Sequence, residues 1–401
     1  MGWLIPIAWT FALAVAGAAL YRATFAIAYL VAGRRSVETG PIAGEPPRFA
    51  VLIPAHDEEL LIATVIQSIR AARYPRQRID VHVIADNCSD RTAAIVRELG
   101  EHVHERQDKT NPGKGQAIDW VLCRIDLASY DAVAFFDADN IVDPEFFAVM
   151  QRALADGGRC LQGYYGIANP NETVMTRLLS VTYVMKNLLF NAGKTRLGLS
   201  VILMGTGMVF RSDVLARTGW QAMSIGEDLE QTFCLLEQGE RIRFVPEALA
   251  RAQEATSLSQ GYAQRQRWAS GRQALAHRAR RAIAQGFRTR SIHAIDTGVE
   301  LLMPTYSSLM NWTAVAGIAA LVVSPWTLAP LVVVAAALAY QLFEVVVSLR
   351  IMGADARFVR SLAFAPVFLV WKSVIDVLAL VGHRRNVWAR TDRKPHTESI
   401  D

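Results

Sequence analysis

The chain has 401 residues, of which 52% are hydrophobic and only 20% charged, and it carries a net charge of +5. The apolar excess collects at the two ends, which excludes an ordinary soluble globule and predicts a membrane protein with a soluble middle. The basic residues lie near the apolar segments, as anionic headgroups favour, so the charge gives no ground for nucleic-acid binding. Cys88, Cys123, Cys160 and Cys234 are far apart and lack metal-type spacing; they read as reduced thiols of a cytosolic domain.

Residues 1–33 predict a transmembrane helix. Gly2 to Ala32 is apolar apart from Arg22 and is too long for a signal-peptide core. Arg34 and Arg35 follow, which places the N-terminus outside and the middle of the chain in the cytoplasm. Residues 34–48, with three prolines, read as a linker. Phe49 to Ala55 predicts a buried parallel strand, His56-Asp57-Glu58-Glu59 a loop, and Leu60 to Ala72 a helix. Val81 to Asp86 predicts a second strand ending in an acid. A turn over Asn87-Cys88-Ser89-Asp90 leads into a helix from Arg91 to Gly100. Ala132 to Asp137 predicts a third strand. Strands and helices alternating, with acids at the strand ends, predict a doubly wound α/β nucleotide-binding domain over 49–260. No G-x-G-x-x-G follows the first strand, which argues against a dinucleotide, and no G-x-x-x-x-G-K-[ST] loop appears, which argues against an ATPase.

Three stations along this domain carry acids. Asp86 ends the second strand, where it is either a helix-entry acid or a ligand of a nucleotide. Asp137 and Asp139 sit in Phe135 to Asn140, reading FFDADN. In an extended chain the side chains at i and i+2 point the same way, so both carboxylates face one point beyond the strand. Such a pair suits a hard divalent cation that also holds phosphates, although alone it reads sooner as a solvated acidic turn. Glu227 and Asp228 precede an expected helix from Leu229 to Gln238. In isolation they are first-turn acids, and the helix dipole is expected to hold Asp228 ionised. Between these stations lies Asn111-Pro112-Gly113-Lys114-Gly115. This is a surface turn, or a loop whose glycines let backbone approach a ligand while Lys114 meets a diphosphate.

Residues 262–290 hold eight arginines and no acid or lysine. They predict basic helices along the cytoplasmic interface, within a region 261–298. In 299–383, Leu301 to Val323 and Leu328 to Ser348 predict a hairpin of spans around Ser324-Pro325-Trp326-Thr327. Arg350, Arg357 and Arg360 place the next loop inside. Leu362 to Val381 is apolar but carries Lys372 and Asp376, four apart and expected to pair. It has basic flanks on both sides, so it is interfacial or re-entrant, the preferred reading, or it crosses against the charge rule. A basic tail, 384–401, contains Trp388-Ala389-Arg390-Thr391-Asp392-Arg393.

This order of motifs resembles the family 2 inverting glycosyltransferases. The similarity is to their membrane-embedded branch, which includes cellulose, chitin-oligosaccharide and hyaluronan synthases and ceramide glucosyltransferases. It covers roughly Phe49 to Arg272. Asp86 matches the family's first aspartate, Asp137 and Asp139 its D-x-D, and Glu227 and Asp228 its E-D. Gln264, Arg267 and Trp268 match its Q-x-x-R-W. The resemblance implies a GT-A (Rossmann-like) domain flanked by transmembrane and interfacial helices. It also implies a UDP-sugar donor, Mg2+ or Mn2+, and a lipid or saccharide acceptor at the inner cell membrane. Asp228 would be the general base with Glu227 beside it. Pro54, His56, Glu58, Asp86, Lys114, Asp137, Gln264 and Arg267 would hold the donor, and Asp139 with Asp137 the metal. Gly205, Thr206 and Trp268 would face the acceptor, although Trp268 also suits a membrane-interface tryptophan. Gln162-Gly163-Tyr164-Tyr165 would line the acceptor path or be buried aromatics. Thr206 stands where cellulose synthases carry a cysteine, which puts cellulose in doubt as the product. Three or four spans make a thin channel for one protomer, so export of a polymer would need a tight bundle or an oligomer. The non-enzymatic alternative is a membrane-anchored nucleotide-sugar-binding scaffold, against which the intact acids at all three acid stations argue. The span count and the large soluble middle argue against a transporter.

Overall fold

The computed structural model describes residues 3–33 and 44–381. Its centre is one eight-stranded mixed sheet built from β1 (Phe49–Ala55), β2 (Ile79–Asp86), β3 (His102–Arg106), β4 (Ala132–Phe135), β5 (Asn140–Val142), β6 (Cys160–Ile167), β7 (Met208–Arg211) and β8 (Ile242–Ala252), in the spatial order 3-2-1-4-7-6-8-5. β3, β2, β1 and β4 run parallel, while β7 is antiparallel to both β4 and β6. The ends of β1, β2 and β4 therefore open on one edge, where sheets of this kind place their ligands.

The chain opens with α1 (Leu4–Ala32). Helices α2 (Ile62–Arg70), α3 (Thr92–Glu98), α4 (Lys114–Leu122), α5 (Phe146–Ala155), α6 (Val174–Val184), α7 (Gly193–Arg196), α8 (Ser212–Thr218) and α9 (Glu227–Glu237) belong to the sheet domain. All seven residues of β1 are buried, because successive side chains point to opposite faces and both faces are covered. Phe49, Val51 and Ile53 pack with α2, α3 and α5. Ala50 and Leu52 pack on the other face with Ile118 and Val121 of α4, Leu235 of α9, and Ala26 and Tyr29 of α1. The first helix is thus built into the core of the sheet domain. Gly193 records how closely: a Cβ there would lie 2.1 Å from the carbonyl oxygen of Phe25.

Beyond the sheet come α10 (Leu258–Ala274), α11 (Ala276–Thr289), α12 (Ile292–Leu302), α13 (Tyr306–Val323), α14 (Ala329–Ile351), α15 (Ala356–Ser361) and α16 (Ala365–Leu380). Among the described residues four stretches are long and apolar enough to cross a membrane: Leu4–Ala32, Tyr306–Val323, Ala329–Ile351 and Ala356–Leu380. Small residues let α1 approach its neighbours: Ala12, Ala18 and Ala19 pack with Ala316 and Ala320 of α13 and Ala337 of α14. Arg22, alone among the apolar residues of α1, makes two contacts to the Glu344 carboxylate of α14, at 3.0 and 3.1 Å.

Several boundaries differ from expectation. The third strand stops at Phe135, two residues short of Asp137, because the chain turns there and Asn140 N–H donates to the Asp137 carbonyl at 3.1 Å. Asp137 and Asp139 are therefore on a turn and not on an extended strand end. The basic stretch is two helices, and α10 begins at Leu258, inside the expected domain limit. The span expected from Leu301 breaks at Met303 and resumes at Tyr306, since Pro304 disfavours helix in the residue before it. Lys372 and Asp376 pair as expected, and Ser308 donates to the same carboxylate at 2.6 Å. Arg34, Arg35, most of the expected linker and the basic tail, with Trp388 to Arg393, lie outside the described residues.

Candidate active site

The loops after β1 and β2 are laced to each other. Asp57 and Asn87 both adopt left-handed backbone, with φ of 54° and 53°, a strained conformation that acids and asparagines tolerate best. The Asp57 carboxylate accepts N–H groups of Ser89 at 2.6 Å and Asp90 at 3.2 Å, while Glu58 N–H donates to Thr92 Oγ1 at 2.8 Å. His56 Nδ1 lies 2.7 Å from the Asp86 carbonyl oxygen. Pro54 is buried near the end of β1. Asp86 is fully buried and tied down. Its Oδ1 lies 2.6 Å from Arg106 Nη1, and its Oδ2 accepts the Gly113 N–H at 3.4 Å. Arg106 also binds Asp108 at 2.9 Å and the Asn111 carbonyl at 2.7 Å.

Lys114 opens α4 at the centre of the edge. Its ammonium donates to Asp137 Oδ1 at 2.6 Å and to the Gly205 carbonyl at 2.7 Å, and lies 3.2 Å from Glu227 Oε1. Burial alone would push this lysine down, but the charges of Asp137 and Glu227 outweigh it and hold the ammonium above the ordinary lysine range. Gly205 is left-handed, with φ of 82°. A Cβ there would sit 3.5 Å from Lys114 Nζ and 3.6 Å from Asp228 Oδ2, so the base candidate and the lysine flank the same glycine. Thr206 hydrogen-bonds Asn140 and accepts the Asp137 N–H at 3.2 Å. Gln162 anchors the loop from behind by donating to the Thr206 carbonyl at 2.8 Å. Asp139 is buried and accepts from Asn140 Nδ2 at 3.2 Å. Its charge and that of Asp137 are both felt by Tyr165 of β6.

Glu227 and Asp228 form the first turn of α9. The expectation that the dipole holds Asp228 ionised is overturned. Burial first, and then the neighbouring Glu227 carboxylate, lift its carboxyl from an ordinary 3.8 to about 7, against the opposing pull of the Leu229 N–H and Lys114.

The helix α10 brings the last motif. Gly226 and Gly271 pass so closely that a Cβ on Gly271 would lie 3.3 Å from Gly226 Cα. That contact presses α10 against the start of α9. Gln264 is buried, with Oε1 unpartnered, and Arg267 is half-buried. Trp268 is 37% exposed, and the Arg265 guanidinium sits 4.6 Å above its ring. Arg265 in turn pairs with buried Glu254 at 2.8 Å, which also accepts from Tyr183.

A sequence model of the family described as "Glycosyltransferase like family 2" matches residues 46–271, more than half of the chain. The chain belongs to this family of glycosyltransferases. Its relatives include a probable glycosyltransferase of Bacillus subtilis, 29% identical over 57% of this chain and 56% of the relative. A beta-monoglucosyldiacylglycerol synthase of Trichormus variabilis is 28% identical over 57% of this chain and 49% of the relative. The chain thus spans about half the length of the curated relatives it matches. In fold it is similar to a mannosyltransferase of Pyrobaculum calidifontis solved with GDP-mannose and Mn2+, at a TM-score of 0.60, 18% identity and coverage of 93% of this chain and 99% of the other. The fold, a GT-A-like sheet with its helices, is therefore shared over nearly the whole length.

Within this family frame, Lys114, Asp137, Glu227, Asp228 and Gly205 are brought together. Asp139 lies one step deeper, and Asp86 is occupied by Arg106. Sequence reading missed Arg106, Arg265 and Glu254. For Arg106 a signal existed: a buried acid ending β2 needs a cation, and the neighbouring strand ends in one.

Proposed function

We propose that the chain is a membrane-bound inverting glycosyltransferase that moves a sugar from a UDP-sugar to a hydroxyl of a lipid or saccharide. The observation that carries this is the convergence of Asp228, Glu227 and Asp137 around the Lys114 ammonium beside Gly205. These groups come from three separate segments and leave Asp228 a half-protonated carboxyl at neutral pH, the poise that suits a general base. The acceptor hydroxyl loses its proton to Asp228, its oxygen forms the bond to the anomeric carbon, and the bond to the diphosphate breaks with its electron pair leaving on the diphosphate. Lys114 and Arg267 bind the departing diphosphate, Arg267 with its planar fork. Trp268 offers its exposed face to the acceptor.

The residues fit a divalent cation. Asp137, Glu227 and Asp228 stand around the Lys114 ammonium, Asp139 lies two residues from Asp137 in the same turn, and carboxylates are hard oxygen donors. Asp139 and Asp137 would hold Mg2+ or Mn2+, whose chemistry is to neutralise charge on the leaving group. The four apolar stretches support insertion in the inner membrane, and the exposed arginines of α11 support a cytoplasmic catalytic face.

The test is transfer from single UDP-sugars by detergent-purified protein with Mn2+ or Mg2+, read as UDP release. No release with any donor refutes the enzyme reading and leaves the anchored scaffold.

A further inference from the structure

The geometry points to Lys114 as a built-in counter-ion that competes with a divalent cation for the same oxygens and yields them when a nucleoside diphosphate arrives. This deepens the proposed function and rests on it.

An ammonium has three protons to place and no lone pair to accept with. Lys114 places two of them on Asp137 Oδ1 at 2.6 Å and the Gly205 carbonyl at 2.7 Å, and its ammonium lies 3.2 Å from Glu227 Oε1. This is a cage of hard oxygens of the kind a Mg2+ or Mn2+ ion takes. Asp228 Oδ2 stands beside the same glycine, 3.6 Å from where a Gly205 Cβ would be. Lys114 is thus the cation that lets three carboxylates share one pocket, and removing one partner of such a group leaves the others uncompensated. The same ammonium cannot serve those oxygens and a diphosphate at full strength. Its position favours the exchange, because it stands at the first residue of α4, directly after Gly113 with φ of 137°. Its long flexible stem can swing its point charge to a phosphate arriving at that helix start, where the helix dipole favours the same anion.

Two consequences follow. A free cation meets a pocket already neutralised and binds weakly. A diphosphate withdraws the lysine and so strengthens cation binding, and by linkage the cation strengthens diphosphate binding by the same factor.

The experiment measures Mn2+ binding to full-length detergent-purified protein by electron paramagnetic resonance, with and without UDP, for the wild type, Lys114→Met, Lys114→Arg and Asp139→Ala. Lys114→Met is expected to bind Mn2+ alone at least tenfold more tightly than the wild type, and Lys114→Arg to bind as the wild type does. UDP is expected to tighten Mn2+ binding at least tenfold in the wild type, and by a smaller factor in Lys114→Met. Melting curves with and without Mn2+ give a second readout, in which Mn2+ raises the Tm of Lys114→Met more than that of the wild type. Equal or weaker Mn2+ binding by Lys114→Met overturns the inference and leaves the metal reading intact. Failure of both proteins to bind Mn2+, with UDP present or absent, overturns the metal reading and the inference with it. Unchanged Mn2+ binding by Asp139→Ala removes Asp139 from the metal shell but leaves the lysine competition standing.

Discussion

Two regions of this molecule bury several charges, and they handle them in opposite ways. Where α12 meets the first helix and the π-wound segment Met185–Ala192, the charges balance: Lys194 and Lys186 face Asp296 and Glu300. Burial alone would raise the Glu300 carboxyl, but the two lysines overcome it and bring it from 4.5 down to about 2. At the catalytic edge the balance fails. Lys114 serves Asp137 and Glu227, Asp228 crowds beside them, and its carboxyl rises to about 7. Balanced burial makes a clasp between helices. Surplus carboxylate makes a pocket with more negative than positive groups, the setting in which the proposed base Asp228 holds its proton up to about 7.

The sharpest way to break this contrast is Asp228→Asn. It should lower transfer by about 100- to 10,000-fold while UDP-sugar binding, measured by calorimetry, stays within a few-fold. Retained transfer would remove Asp228 as the base. Next in size, Glu300→Gln leaves buried Lys194 with Asp296 as its remaining carboxylate and takes the partner of half-exposed Lys186; it should cost up to about 3–5 kcal/mol, seen as a drop in Tm.

The two sites should also bend stability with pH in opposite directions. Glu300 has a lowered carboxyl, so its contribution is present above 4.5 and is lost as pH falls toward about 2. Asp228 has a raised carboxyl, so the folded state holds a proton that the unfolded chain has released. Stability therefore falls as pH rises from 3.8 to about 7. Asp228→Asn should flatten that neutral limb, and Glu300→Gln should flatten the acid one. A neutral limb unchanged in Asp228→Asn would show that its carboxyl is not raised.

Gly271→Ala should cost about 1–3 kcal/mol by overpacking, with a fall in transfer larger than the fall in Tm implies, because the added methyl pushes α10 off Gly226. Smallest of all, Trp268→Ala should raise acceptor KM by about 2- to 10-fold, the worth of one aromatic stacking contact, and leave donor KM unchanged.

Much of the architecture is legible in the residues alone. Long apolar runs and short buried strands carry their own periodicity, so the spans and β1, β2 and β4 could be located without coordinates. The strands β6 and β8 were not, because Cys160–Ile167 and Ile242–Ala252 mix buried and half-buried positions and pair with distant partners. The boundary errors share one cause. Turn geometry at Asp137 and Pro304 ends an element where hydrophobicity continues.

By itself the sequence determined the class of the protein, the order of its acid stations and the presence of apolar spans, since each depends only on residue type and spacing along one segment. Which charges meet was decided by tertiary structure alone. Arg22 finds Glu344 across 322 positions, and Lys114 meets the Gly205 carbonyl across 91. Nothing local encodes such a pairing, because it arises from how α1 seats against the sheet and how the β4 turn meets the Gly205 loop. The raised carboxyl of Asp228 has both origins: Glu227 beside it in the first turn of α9 is a local feature, while the burial that lifts it most and the charge of Asp137 are supplied by the fold.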